Sequence, residues 1–274
     1  MHRHYQSAPS LPHDHTHPKT TAGGSDVAKA SIIVGFIVGG LLFDQKVDFW
    51  GQTLTNLAMW ILLLHWLRQA PVAEQTGLVA CVLYATIGEI FLSLVWGLYE
   101  YRLSNVPLFV PPGHAMLFML GGMLATRAAD WIVWLTPLAA TPFVCLLLFS
   151  GAGSFDALLF AIFVLCLVFG RAKKLYAAMF VLSLAMEIYG TWLGNWTWET
   201  TVPWLGLTTI NPPLASGAFY SVLDTLVVAT ASRWCFSAPR QGRWRPCSDV
   251  RQFFPGLRLA ATLSARNAHI AVDT

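Results

Sequence analysis

The chain has 274 residues, of which 55% are hydrophobic and only 11% charged, and its mean hydropathy is +0.56. That balance excludes an ordinary soluble domain, whose apolar residues would alternate with polar ones at helical or strand period. The formal net charge of +3 does not argue for nucleic acid, because the basic residues fall in short connections and a tail, where they carry topology information.

Residues 1–25 hold His2, His4, His13, His15 and His17 among Ser, Pro, Thr and Gly, a composition too polar to bury a core and therefore expected to be disordered. Neutral imidazoles in His13-Asp14-His15-Thr16-His17 suit zinc, copper or nickel. No second shell fixes them, so the preferred reading is a polar leader and no metal site. The first apolar run starts near Val27 without the basic start and small-residue cleavage site of a signal peptide. It is expected to be a retained first span.

Apolar runs then follow at 27–43, 51–68, 77–98, 108–127, 131–149, 155–171, 175–194 and 212–232. Each is long enough to cross hydrocarbon as a helix, where every backbone bond must close within the segment. The strand-length alternation of a membrane barrel is missing. The fold expected is all-α, a polytopic membrane protein of about eight transmembrane helices. Residues 26–233 form the membrane domain, and 234–274 form a basic tail that is either a short surface helix or unordered. Cys81, Cys145 and Cys166 fall inside apolar runs, Cys235 and Cys247 lie in the tail, and no CxxC pair suggests zinc or a disulfide framework.

Lys and Arg set the orientation. With the N-terminus inside, the cytoplasmic side receives Lys29, Arg68, Arg127, Arg171, Lys173, Lys174, Arg233, Arg240, Arg243 and Arg245, and the other side receives Lys46 and Arg102. Both termini are therefore expected in the cytoplasm, which an even number of crossings allows. A bacterial inner membrane is the expected location.

Comparison of the chain with itself locates a site. The third span reads Glu89, Trp96, Gly97, Tyr99, Tyr101, then Val106-Pro107 and Pro111-Pro112-Gly113-His114. The seventh reads Glu187, Trp192, Gly194, Trp196, Trp198, then Val202-Pro203 and Asn211-Pro212-Pro213. The shared order predicts two repeated four-helix halves, 26–128 and 129–233, in the same orientation and related by an axis along the membrane normal. The paired prolines suit helix starts.

Glu89 and Glu187 lie deep in apolar helices, where a carboxylate is costly and by default functional. Burial disfavours the charged form of a carboxyl, and a second carboxyl nearby disfavours it further, so a proton donor at neutral pH is expected. Asp224 in the last span is a third candidate acid without a counterpart in the first half. His114, at the start of the fourth span, is placed to relay protons or to face the interface. His65 is expected to hydrogen-bond a neighbouring helix. Asp44, Asp48, Glu100, Asp130, Asp156 and Glu199 lie near helix ends, where water is expected to reach them. Trp96, Tyr99, Tyr101, Trp192, Trp196, Trp198 and Trp204 crowd the outer side, as a headgroup belt or as an aromatic mouth for a polyene or a developing cation. Asn211 joins them as a candidate substrate contact.

These residues resemble the membrane carotenoid-biosynthesis hydratases. Glu89, Gly97-Leu-Tyr99-Glu-Tyr101 and Val106-Pro107-Leu-Phe-Val-Pro111-Pro112 are similar to that family's buried Glu, Gly-x-Tyr-x-Tyr and Val-Pro-Leu-x-x-Pro pattern. This chain departs from it in Gly113-His114, where a Trp is expected, and in the tryptophans of the second copy. The resemblance implies addition of water to a terminal isoprenoid double bond, with Glu89 or Glu187 as the acid and the other carboxyl or Asp224 orienting water. It implies a membrane lipid or polyene as partner, with pathway enzymes or a second copy as further associates. No cofactor motif, P-loop or nucleotide fingerprint occurs. Rival readings are a proton-coupled carrier, which also uses midplane acids, and a non-catalytic assembly protein packed through residues such as Gly121-Gly122.

Overall fold

The computed structural model describes residues 22–237, with the side chains of 22–25, 48–49 and 234–237 left aside. The histidine-rich leader through His17, with its metal-capture reading, and the basic tail with Cys247 lie outside the described residues.

Every expected span is a helix. In chain order they are α1 (Ala22–Lys46), α2 (Asp48–Gln69), α3 (Val72–Glu89), α4 (Val110–Arg127), α5 (Ile132–Phe149), α6 (Ser154–Phe169), α7 (Lys173–Leu193) and α8 (Gly217–Ser237). A π-helical segment, Ile90–Val95, continues α3. Two short strands, β1 (Tyr99–Tyr101) and β2 (Trp196–Trp198), pair antiparallel.

Four stretches are long and apolar enough to cross a membrane by length and composition, Asp26–Lys46, Val72–Val95, Ile132–Phe149 and Lys173–Leu193, with α6 a shorter apolar helix. Leu138, Leu146, Phe149 and Phe169 point outward and exposed. In water such a surface would aggregate, whereas hydrocarbon covers it without cost. The chain is an all-helical integral membrane protein. The lower hydropathy of α4 and α8 has a local cause. In α8 the hydroxyls of Ser221, Thr225 and Ser232 donate to carbonyls four residues back, Gly217, Ser221 and Val228, so these polar groups are satisfied inside their own helix. In α4, Gly121 lets Met179 of α7 approach closely.

Helices α3, α4, α7 and α8 form a ring in which each touches the next, and the pairs α1/α2 and α5/α6 flank it. Phe118 of α4, Tyr176 and Met179 of α7, and Leu78 of α3 are fully buried within it.

Several expectations at the helix ends are corrected. Pro111 and Pro112 do lie in the first turn of α4, but Pro212 and Pro213 lie outside α8, between a cis Asn211–Pro212 bond and a separate turn that leads into the helix. That turn is held by Asp156, which accepts from the Thr209 hydroxyl at 2.6 Å and the Ala215 N–H at 3.2 Å. Asp44 accepts from Asn195 Nδ2 at 2.8 Å and pairs with Arg102 at 3.4 Å. Both carboxylates are thus buried and engaged, not open to water, because each ties a connecting segment onto a helix end. His65 accepts from Gln69 of its own helix at 3.0 Å and bonds no neighbouring helix among the described residues.

Candidate active site

The site forms where β1 and β2 cover the end of the helix ring. Each strand is three residues long with the burial order in, out, in. Two-residue periodicity therefore sends Tyr99, Tyr101, Trp196 and Trp198 to one face and Glu100 and Thr197 to the other. The register pairs Tyr99 with Trp198, Glu100 with Thr197 and Tyr101 with Trp196. All four aromatic side chains are buried and reach back to the acid of the helix that precedes their own strand.

Glu89 Oε2 accepts from the Tyr99 and Tyr101 hydroxyls at 2.6 and 2.7 Å. Glu187 Oε2 accepts from the Trp196 and Trp198 indole N–H groups at 2.8 and 3.1 Å. The helix after each strand adds one more partner. His114 of α4 brings Nε2 to 3.5 Å from Glu89 Oε1, and Tyr220 of α8 donates to Glu187 Oε1 at 3.2 Å.

The turn from helix to strand is built the same way twice, with one difference. Gly97 and Gly194 both take positive φ, +71° and +83°, the left-handed conformation that ends a helix and favours glycine. Gly194 N–H bonds Thr191 O and Asn195 N–H bonds Gly190 O, a Schellman ending. Glu187 precedes its glycine by seven positions and Glu89 precedes Gly97 by eight. The π-helical segment absorbs that extra residue, since i→i+5 bonding widens the turn by one. Accordingly the bond corresponding to Asn195–Gly190 runs from Leu98 N–H to Leu92 O, one residue longer. Both acids consequently lie at the same place relative to their strand. Gly190, one turn after Glu187, has the Trp196 ring lying where a Cβ would stand, which lets the indole fold back over α7.

Hydrogen-bond inventory distinguishes the two acids. Indole N–H only donates, so Glu187 Oε2 is fixed as an acceptor. At Glu89 the partners are phenols and an imidazole, which can exchange roles. His114 Nδ1 lies 3.0 Å from the Val110 carbonyl, an acceptor that requires the N–H to be at Nδ1. In the neutral ring Nε2 then presents a lone pair to Glu89 Oε1, and a proton between them avoids two facing acceptors.

Two chambers meet at Glu89, Tyr99, His114, Glu187 and Trp198. The smaller, about 50 Å³, lies toward α1 and α2 against Gly40, Thr55 and Met59. The larger, about 440 Å³, lies toward α3, α6 and α8 against Gly88, Leu159, Phe219 and Leu223. Among the described residues no Lys or Arg lines either one, and no cluster of His, Cys, Asp and Glu could hold a metal ion.

The site therefore gathers Glu89, Glu187, His114, Tyr99, Tyr101, Trp196 and Trp198. It does not gather Asp224, which is fully buried but lines neither chamber, and whose two oxygens have no hydrogen-bond partner among the described residues. Trp192 is 77% exposed and Trp96 is spent on the loop, donating to Pro203 O at 2.7 Å and stacking on Trp204. Asn211 acts on the backbone, its Oδ1 accepting the Trp198 N–H at 3.0 Å. Tyr220 joins the site at Glu187 without a sequence motif of its own. Its signal was positional: it opens the helix after the second motif, as His114 opens the helix after the first.

No family model matches the chain, and neither a curated protein nor a solved structure matches it.

Proposed function

We propose that the chain is a membrane enzyme that adds water across a double bond of an apolar isoprenoid chain, with Glu89 and His114 supplying the proton and Glu187 receiving one. The observation that carries this reading is the unequal pair of buried carboxyls at one site, one facing an imidazole nitrogen and two phenols and the other fixed as an acceptor by two indoles.

In the proposed step the alkene π pair takes the proton held at Glu89 Oε1, forming a C–H bond and leaving a cation on the adjacent carbon. Ring faces of Tyr99, Trp198 and Tyr220 favour that cation. A water oxygen forms the C–O bond and gives its extra proton to Glu187, and exchange with water returns the acids to their starting state. The sum is alkene plus water giving an alcohol. Walls that are predominantly apolar, with the polar groups gathered mainly about the acids, suit a lipid-soluble chain better than the polar solute of a carrier.

The same reading takes all eight helices as crossings, in two related halves with both termini in the cytoplasm. Support comes from the matching Glu, Gly and aromatic-pair order, from the pairing of β1 with β2, and from Lys and Arg placement.

The test is mass spectrometry of lipid extracts from membranes given an acyclic polyene. Wild type should add the mass of one water, and Glu89→Gln or Glu187→Gln should abolish the addition while the protein still inserts. Equal product from both variants overturns the proposal.

A further inference from the structure

We infer that the larger chamber is loaded sideways from the bilayer, through a portal between α3 and α8, by the uncharged end of a hydrocarbon chain, and that Gly88 keeps the portal open. The proposed hydration is relied on only for the statement that the chain carries a double bond.

Four apolar residues that line this chamber also reach the outer surface: Ile87 (57% exposed) and Phe91 (44%) on the α3 side, and Val222 (40%) and Leu226 (46%) on α8. The same chamber ends inward at Glu89, His114, Glu187 and Tyr220. A continuous lining thus runs from a lipid-facing rim to the acids. Deeper in the bundle α3 and α8 are joined, with Tyr84 and Thr230 hydroxyls 2.8 Å apart, and Leu159 and Ile162 of α6 form the third wall.

Gly88 sits in this lining next to Glu89. A Cβ there would meet no heavy atom within 4 Å, so the missing side chain leaves open space and serves no packing. A methyl at position 88 would still leave the path open, whereas a bulky side chain there would fill it.

Size and charge define the occupant. About 440 Å³ is within the range of pockets that enclose a small organic molecule, roughly 300–1,000 Å³. With no Lys or Arg in the lining among the described residues, a phosphate or carboxylate headgroup would find no Lys or Arg to pair with and would be brought up against Glu89 and Glu187. The chain therefore enters by an end that carries no headgroup.

The experiment is photolabelling in lipid nanodiscs with an uncharged long-chain alkyl diazirine, with adducts located by peptide mass spectrometry. Wild type, Gly88→Ala and Glu89→Gln should all be labelled on the chamber faces of α3 and α8. Gly88→Phe, and independently Val222→Trp, should lose those adducts down to the background of outward-facing helix surfaces, with unchanged melting temperature. An alkane should compete and an alkyl phosphate should not. Wild-type labelling confined to outer surfaces, or equal chamber labelling in Gly88→Phe, overturns the portal. Labelling reads binding without turnover, so chamber adducts in a protein that makes no hydrated product sustain the portal and defeat only the hydration reading.

Discussion

His114 and Tyr220 lie ring on ring, with centroids 4.9 Å apart and planes within 4°. One faces Glu89 and the other bonds Glu187. The stack therefore joins the two acids through the helices that follow their strands, and a change at either ring should be felt by the other carboxyl.

Removing the phenol donors should weaken the Glu89 side in steps. Tyr99→Phe and Tyr101→Phe each delete one hydrogen bond and should cost about 1 kcal/mol of stability. The double variant should cost more than the sum, because a buried Oε2 is then left unsatisfied. Thermal unfolding in detergent, run as a double-mutant cycle, measures this. Simple additivity would show that the two hydroxyls do not share Oε2.

Gly190→Ala should displace the Trp196 indole, since the new methyl falls on its ring. Overpacking of this kind costs about 1–3 kcal/mol. The Trp196 Nε1–H resonance should shift toward that of a free indole, whereas Gly88→Ala, in open space, should leave it in place.

Deletions should separate the two motifs. Removing Ser93 takes the extra residue out of the π-helical segment and leaves the seven-position spacing that α7 already uses. Removing Ile188 would rotate β2 by about 100° relative to Glu187 and turn its indoles away. The Ser93 deletion should keep the carboxyl infrared band of the hydrogen-bonded acids, and the Ile188 deletion should lose it.

Asp224→Leu should raise the melting temperature, because a buried carboxyl with no hydrogen-bond partner among the described residues carries a desolvation penalty of about 1–3 kcal/mol. It should also leave the proposed conversion intact. Loss of product without loss of folding would return Asp224 to the site.

The α4–α5 turn should resist acid. The Lys174 ammonium, 2.6 Å from Asp130, holds that carboxyl below the usual carboxylate range. A lowered folded pKa means the pair's contribution is complete above about pH 4, the ordinary aspartate value, and is lost only as pH falls through the lower folded value. A carboxyl carbon-13 titration should place the Asp130 midpoint below that of free aspartate and return it upward in Lys174→Met.

Apolar runs marked the eight helices, and in the four that are long and apolar enough to cross a membrane the run length matches hydrocarbon thickness. The repeated order of Glu, Gly and alternating aromatics located both acids. What it left open was direction. Trp192 and Trp196 are equally plausible beside Glu187 on paper, and only strand parity sends Trp196 inward while Trp192 remains on the lipid side. The one-residue difference between the motifs was written in the numbering, but its meaning needed the π bonding of Phe91 to Trp96. The burial of Asp44 and Asp156 depends on segments distant in sequence, Asn195 and Thr209, which no local pattern connects to them.

Strands β1 and β2 come from segments nearly a hundred residues apart, which bears on the order of events during synthesis. At about 5–20 residues per second, Tyr99 and Tyr101 emerge several seconds before Trp196 exists to pair with them. During that interval Glu89 has its phenols but no opposing indoles, and the acid faces the bilayer under half a roof. The roof over the two acids is therefore completed only by the last third of the chain.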